Sequence, residues 1–340
     1  MMEGDWRSIG VSAAAAFATS LLLSLYFTPI FRDSARRFGI VDRPDGGLKT
    51  QREPVPYLGG LAVFSAVLFP AAIFLQFSDR LTGLLLGSAI VIMLGLIDDI
   101  GRLSPRIKLV VQVVAVFLMI KSGIRIRVGF LPPLLCVGLT FLWMLLMTNG
   151  FNLIDVMDGL AGGVGSVTAI SLAIVFLLQG NLMGVVISVS LAGALLGFLH
   201  YNRPPAQIYL GDTGSLFLGF LLGGLAIGGK YTLRNPLGWL TAISIFAVPL
   251  FEILFLSYLR LLRGAPIMAG SRDHFSLRLR KWRLSTGQTV LASCAAAAAS
   301  AAAGVIAMRV PADSSLYWYG SVLALFLVLA AWLKAIDMSL

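Results

Sequence analysis

An all-α bundle that crosses a membrane about eleven times, at roughly 20 residues per crossing, is the fold class this sequence predicts. Three features predict it. Hydrophobic residues make up 58% of the 340 and charged residues 12%, with mean hydropathy +0.90, a balance that soluble domains rarely show. Apolar runs of about 18 residues or more recur from end to end, each long enough for a helix to cross the hydrocarbon core. The segments between them are short and polar, so residues 1–340 read as one integral membrane domain without a soluble appendage.

The spans read in order as about 9–30, 57–77, 81–97, 107–121, 133–148, 161–178, 182–199, 213–229, 237–260, 288–308 and 315–335. The first opens with Glu3 and Asp5, where a cleaved leader would carry basic residues, so it reads as a retained span. Between the fourth and fifth, Arg125 to Pro133 alternates through Ile126 and Val128 and reads as an external hairpin. The pairs Gly193/Gly197 and Gly219/Gly223, and the alanine run 295–303, suit close helix packing. The ninth span contains Pro249 and Glu252; an acid inside a span is a functional candidate, with a satisfied structural role as its default. No internal repeat is visible. Cys136 and Cys294 both fall in apolar runs and read as packing residues without a disulfide.

Orientation follows from lysine and arginine. Most of the 26 basic residues fall on one side. Arg32, Arg36, Arg37, Arg43, Lys49 and Arg52 follow the first span, Arg102, Arg106 and Lys108 the third, and a run from Arg260 to Arg283 the ninth. That side is expected to be cytoplasmic, which puts the N-terminus in the periplasm and the C-terminus in the cytoplasm. The net charge of +10 is accounted for by this bias and does not call for nucleic acid.

The acids sort to the same side, which the basic-residue rule does not predict. Asp98, Asp99, Asp155, Asp158 and Asp212 all stand at span ends or in loops there. Carboxylates at membrane depth are costly and mark function. Asp98-Asp99 end the third span, pointing about 100° apart around a helix axis, with Lys108 following. The run Thr148 to Gly163 places Asn149, Asn152 and Asp155 three apart, on one helical face. Their oxygens suit Mg2+, a hard cation that keeps open positions for water and phosphate. Tyr209-Leu210-Gly211-Asp212-Thr213-Gly214-Ser215 opens a strongly apolar span, where free amides favour an anion and where Asp212 could equally act as a cap. Ser271 to Arg278 adds His274 and forked guanidinium donors for phosphate. Together these residues predict a cytoplasmic site for metal-assisted phosphoryl transfer.

In these motifs the chain resembles the polyprenyl-phosphate N-acetylhexosamine-1-phosphate transferases, a family that includes the enzymes starting O-antigen and teichoic acid synthesis and the phospho-MurNAc-pentapeptide translocase. The resemblance covers about residues 38 to 290. It includes Gly39-Ile40-Val41-Asp42 and the segment Lys49 to Gly60, ending Pro54-Val55-Pro56-Tyr57-Leu58-Gly59-Gly60. It implies that Asp212 with Asn152 holds Mg2+, with Mn2+ as an alternative, against a UDP-sugar diphosphate. It makes Asp98 the base for the lipid phosphate, Asp99 its support, and Lys108 the lysine that holds a carboxylate or phosphate. It places Lys49, Asn149, Asp155, Asp158, Asn202, Tyr209, His274 and Arg278 around the substrates, with Asn202 and Tyr209 at the uracil and His274 and Arg278 at the sugar and diphosphate.

The implied reaction transfers an N-acetylhexosamine 1-phosphate, GlcNAc 1-phosphate by default, from a UDP-sugar to undecaprenyl phosphate in the plasma membrane; a homodimer is compatible with it. Three positions depart from the family pattern: Val156 follows Asp155, Gln51 stands where histidine is common, and His274 is the lone histidine of its loop. The last argues against a MurNAc-pentapeptide substrate. A secondary transporter would also carry acids at membrane depth, but its sites lie near the midplane between repeats.

Overall fold

The computed structural model describes residues 3–43, 53–101, 103–129, 131–264, 273–336 and 338. Helices dominate it. They are α1 (Glu3–Arg37), α2 (Gly59–Phe74), α3 (Asp79–Gly101), α4 (Pro105–Lys121), α5 (Pro133–Ile154), α6 (Leu160–Leu178), α7 (Leu182–Asn202), α8 (Gly211–Ile227), α9 (Leu240–Ile245), α10 (Ala247–Leu262), α11 (Phe275–Lys281), α12 (Thr286–Ala307) and α13 (Ala312–Lys334). The exceptions among the described residues are a 3-10 turn, Pro236–Trp239, and a small antiparallel ribbon of β1 (Val41–Asp42) and β2 (Val55–Pro56).

This is an all-α, polytopic membrane protein. Seven helices are long and apolar enough to cross a membrane, or eight if α9 and α10 form one broken span, bent by 75° with the preceding turn included. The break falls at Phe246, three residues before Pro249, which cannot donate to the helix ladder. Helices α2, α4 and α8 coincide with expected spans but hold 16, 17 and 17 residues. At 1.5 Å per residue each rises only about 25 Å.

The helices pack at glycine contacts. A side chain at Gly197 would stand 2.8 Å from the Leu21 carbonyl on α1, and one at Gly223 would stand 2.9 Å from Met147 on α5. Such small-residue stripes bring helices close enough to gain dispersion where no hydrophobic drive exists. Helix α8 is the centre: from Thr213 to Ala226 it is buried throughout, wrapped by α2, α3 and α5.

One expectation fails. Residues 124–128 form no hairpin; Ile126 donates its amide to the Thr140 hydroxyl at 3.0 Å, so α5 satisfies the backbone that a partner strand would have used.

Candidate active site

The end of α3 meets the start of α8, and glycine decides how closely. Gly95 lies directly against the Asp212 and Thr213 backbone, leaving no room for a side chain. Asp99 then reaches the first turn of α8. Its Oδ1 accepts from the Asp212 amide at 2.9 Å, and its Oδ2 accepts from the Thr213 amide at 3.1 Å and the Thr213 hydroxyl at 2.7 Å. The helix start leaves these amides unpaired, so a carboxylate there is a cap supplied from another helix.

Asp98 faces the other way, into a polar cluster. Its Oδ1 accepts from the Leu103 amide at 2.5 Å and its Oδ2 pairs with Lys108 of α4. The same ammonium donates to Asp212 Oδ2 at 2.7 Å. The Asp98 and Asp212 carboxyls lie within hydrogen-bond reach of each other, and like charges so close need a cation or a proton between them. Asn152 of α5 donates to Asp212 Oδ1 at 2.9 Å and to Ser215 Oγ at 3.0 Å. Its nitrogen is thereby spent, and its Oδ1 has no partner among the described residues.

Two carboxylates and this amide oxygen fit a hard divalent cation. Mg2+ is such a cation: it takes one or two protein carboxylates and completes its shell with water and phosphate. One turn before Asn152, Asn149 is held by Gln112, to which it donates at 2.8 Å, and by the Leu145 carbonyl. It therefore braces α4 against α5 beside the cluster.

Past the end of α5 stand two more acids. Asp155 accepts no hydrogen bond among the described residues, and burial, then Asp212, Asp99 and Asp158, push its carboxyl well above the ordinary range. Asp158 accepts from the Ala206 amide at 3.0 Å; burial raises it too, while the Arg280 charge lowers it. The rim of the site is aromatic. Tyr209 N donates to the Pro56 carbonyl of β2 at 2.8 Å, and the Tyr57 and Tyr209 rings lie 6.0 Å apart. Burial, then a hydrogen bond to Asp42, drives the Tyr57 hydroxyl far above its usual range. Gly59 and Gly60 donate to the Tyr209 and Leu210 carbonyls at 3.1 and 3.0 Å, so the glycine pair of the Pro54–Gly60 motif fastens this loop to α2.

A profile for Glycosyl transferase family 4 matches residues 81–230, from α3 past α8. A Bacillus subtilis protein named "Probable undecaprenyl-phosphate N-acetylglucosaminyl 1-phosphate transferase" is 34% identical over 298 residues, covering 84% of this chain and 82% of its own. The chain belongs to glycosyl transferase family 4. An undecaprenyl-phosphate alpha-N-acetylglucosaminyl 1-phosphate transferase of Salmonella typhi is 27% identical over 308 residues, covering 85% of this chain and 84% of its own. A decaprenyl-phosphate N-acetylglucosaminephosphotransferase of Mycobacterium tuberculosis is 28% identical over 324 residues, covering 81% and 78%. The protein is thus a membrane transferase of the polyprenyl-phosphate N-acetylhexosamine-1-phosphate transferase group.

In this family 4 transferase the structure brings Asp98, Asp99, Lys108, Asn149, Asn152, Asp155, Asp158, Tyr209 and Asp212 to one end of the bundle. Three other expected contact residues, Asn202, Arg278 and His274, are occupied elsewhere. Asn202 is 5% exposed, accepts from the Gly159 amide at 2.9 Å and donates to the Ile208 carbonyl at 2.9 Å, which closes the loop before α8. Arg278 is 2% exposed and spends its guanidinium on Asp273 and on the Leu333 and Ile336 carbonyls at the end of α13.

His274 is buried and its Nδ1 lies 2.5 Å from Glu252, which also accepts from the Phe275 amide at 3.2 Å. Glu252 thus has the structural role: it anchors α11 to α10. Lys49 lies outside the described residues. The sequence reading did not place Arg280, Tyr57 or Asp42 in the site. Arg280 stands two residues beyond Arg278, on the opposite helical face, and a period-3.6 count over α11 would have separated the two.

Proposed function

We propose that this enzyme transfers an N-acetylhexosamine 1-phosphate, GlcNAc 1-phosphate first among them, from a UDP-sugar to undecaprenyl phosphate. UMP is released and a cell-envelope glycan is begun. The observation that carries the reading is the convergence of Asp98, Lys108, Asn152 and Asp212, from four different helices, on one polar cluster at the membrane-helix ends. The relatives' names support the same reaction class, with undecaprenyl or decaprenyl phosphate as acceptor.

Bound Mg2+ would supply charge neutralisation at the diphosphate of the donor. Asp212 and the Asn152 Oδ1 are the groups to hold it, and Asp99 keeps Asp212 in place from behind. Lys108 balances Asp98 and Asp212. Asp98 takes the proton of the lipid phosphate, whose oxygen then attacks the β-phosphorus. The bond to the bridging oxygen breaks and the electron pair leaves with UMP. Asp155 and Asp158, with Tyr57 and Tyr209 at the rim, line the space left for the nucleotide sugar, and Arg280 faces it from α11. The basic bias of this end supports a cytoplasmic site in the plasma membrane, with the N-terminus outside and the C-terminus inside.

The test offers purified protein a panel of UDP-sugars with undecaprenyl phosphate and Mg2+, and reads UMP release together with the mass of the lipid product. A lipid diphosphate-HexNAc is expected. Absence of lipid product with every donor would overturn the reading, and uptake of intact UDP-sugar into proteoliposomes without UMP would replace it by transport.

A further inference from the structure

At the same end of the bundle as Arg278, α10 and α13 finish beside each other and border an open cavity of about 220 Å3. Leu259, Leu262 and Ile336 form its apolar wall, with Met338, and Arg263, Arg278 and Lys334 its charged wall. Asp273 is the one acid that the described residues place against these cations. It pairs with Arg263 and accepts from Arg278 Nη2 at 2.6 Å. Among the described residues Arg263 and Arg278 thus share one carboxylate, and Lys334 lines the cavity beside them. Lys334 spends one of its N–H groups on the Tyr258 hydroxyl at 3.0 Å, and Arg263 spends one nitrogen on Asp273. The remaining donors of both have no partner among the described residues.

The surroundings set the depth. Tyr258 and Trp282 are about half exposed, and the Trp282 and Trp332 rings meet edge to face at 4.8 Å. Tyrosine and tryptophan gather where hydrocarbon gives way to headgroups. Leu261 and Leu262, 65% and 56% exposed, continue outward from the cavity along α10.

We propose that this cavity seats the phosphate of an anionic bilayer phospholipid, between Arg263 and Lys334, with its acyl chains lying on the Leu261–Leu262 face of α10. Basic pockets between membrane helices recognise lipid headgroups in this way. Charge complementarity selects an anion, and the adjoining apolar face selects one that arrives with a hydrocarbon tail. The bound lipid would brace the Arg263–Asp273–Arg278 network that seats α11, so its effect is on the stability of this corner. The inference does not rest on the reaction proposed above, because its readout involves no turnover.

The experiment uses the full chain in a zwitterionic detergent and follows the unfolding midpoint and the lipid retained in native mass spectra. The probes are phosphatidylglycerol, phosphatidylcholine with the same chains, inorganic phosphate and undecaprenyl phosphate. Phosphatidylglycerol is expected to raise the midpoint by a few degrees, since a ligand that binds only the folded state stabilises it, and phosphatidylcholine to leave it unchanged. Lys334→Gln is expected to bind phosphatidylglycerol about fivefold more weakly, the weight of one basic residue at an anionic lipid surface, and Lys334→Arg to bind as the parent does. Lys334 is exposed, so both variants fold, and the lipid-induced difference is read whatever their starting midpoints. An equal rise with phosphatidylcholine, an undiminished rise in Lys334→Gln, the whole rise with inorganic phosphate, or a response to undecaprenyl phosphate alone would each overturn the assignment.

Discussion

Replacing Asp99 by alanine should damage the enzyme without removing any group that touches substrate. Asp99 accepts three hydrogen bonds from the first turn of α8, and that turn carries Asp212. Losing a helix cap costs about 0.5–2 kcal/mol, and hydrogen bonds to a charged partner are worth about 1.5–3 kcal/mol each. The three are not additive, because they share one carboxylate and one helix start, so a loss of about 2–4 kcal/mol in stability is expected. The Asp212 carboxylate would then wander, and a displacement near 1 Å costs roughly 100-fold in rate.

Asp99→Asn keeps one acceptor oxygen and turns an N–H toward the other donors, so it should lose about half as much stability. The assays are the unfolding midpoint in detergent and UMP release across a Mg2+ titration. For a positioning residue the Mg2+ requirement rises and turnover falls together with stability, in the order Asn then Ala. If Asp99→Asn kept the parent midpoint and Mg2+ dependence yet lost all turnover, Asp99 would be acting on the reacting atoms. If Asp99→Ala kept the parent midpoint, the cap would be worth nothing.

Five further outcomes can be measured. Asp212→Asn is expected to fold normally and to abolish Mg2+-dependent UMP release; near-normal turnover would remove Asp212 from the metal role. Arg278→Ala is expected to cost about 1.5–3 kcal/mol of stability, since Asp273 keeps Arg263 but loses a charged donor, as do the Leu333 and Ile336 carbonyls. Arg280→Ala should keep stability and raise the KM for the UDP-sugar; the reverse pattern would restore Arg278 to the substrate. Asp155 is held above its ordinary pKa by burial and its acidic neighbours, so its ionisation opposes folding. That cost is absent below the unfolded pKa and grows as pH rises toward and through the folded one. Asp155→Asn without Mg2+ should therefore raise the midpoint at neutral pH and leave it unchanged near pH 3, and a pH-independent difference would refute the sign. A reporter fused after Leu340 is expected in the cytoplasm, and a periplasmic signal would reverse the topology.

How much was legible in the sequence differs by feature. The apolar runs are visible because a bilayer demands about 20 consecutive apolar residues of any crossing helix, and each expected interval coincides with a helix or with the broken pair α9–α10. The acids stood out because carboxylates at membrane depth are too costly to keep idly. That Asp98, Asn152 and Asp212 should meet followed from their shared side.

What each of these residues does there was decided only by the tertiary structure. Asp98 and Asp99 are neighbours in the chain, and nothing local says which faces the cluster; the rotation of α3 is set by Gly95 pressed on the α8 backbone. Arg278 and Arg280 read alike as basic loop residues until Glu252 and the end of α13 fix the face that α11 buries. Asn202 looked available until its amide proved to close a loop across 43 residues to Gly159. Hydropathy and spacing are local properties that a chain carries along its length. The rotation of one helix against another depends on contacts between residues far apart in sequence, and that rotation divides groups facing substrate from groups holding the frame.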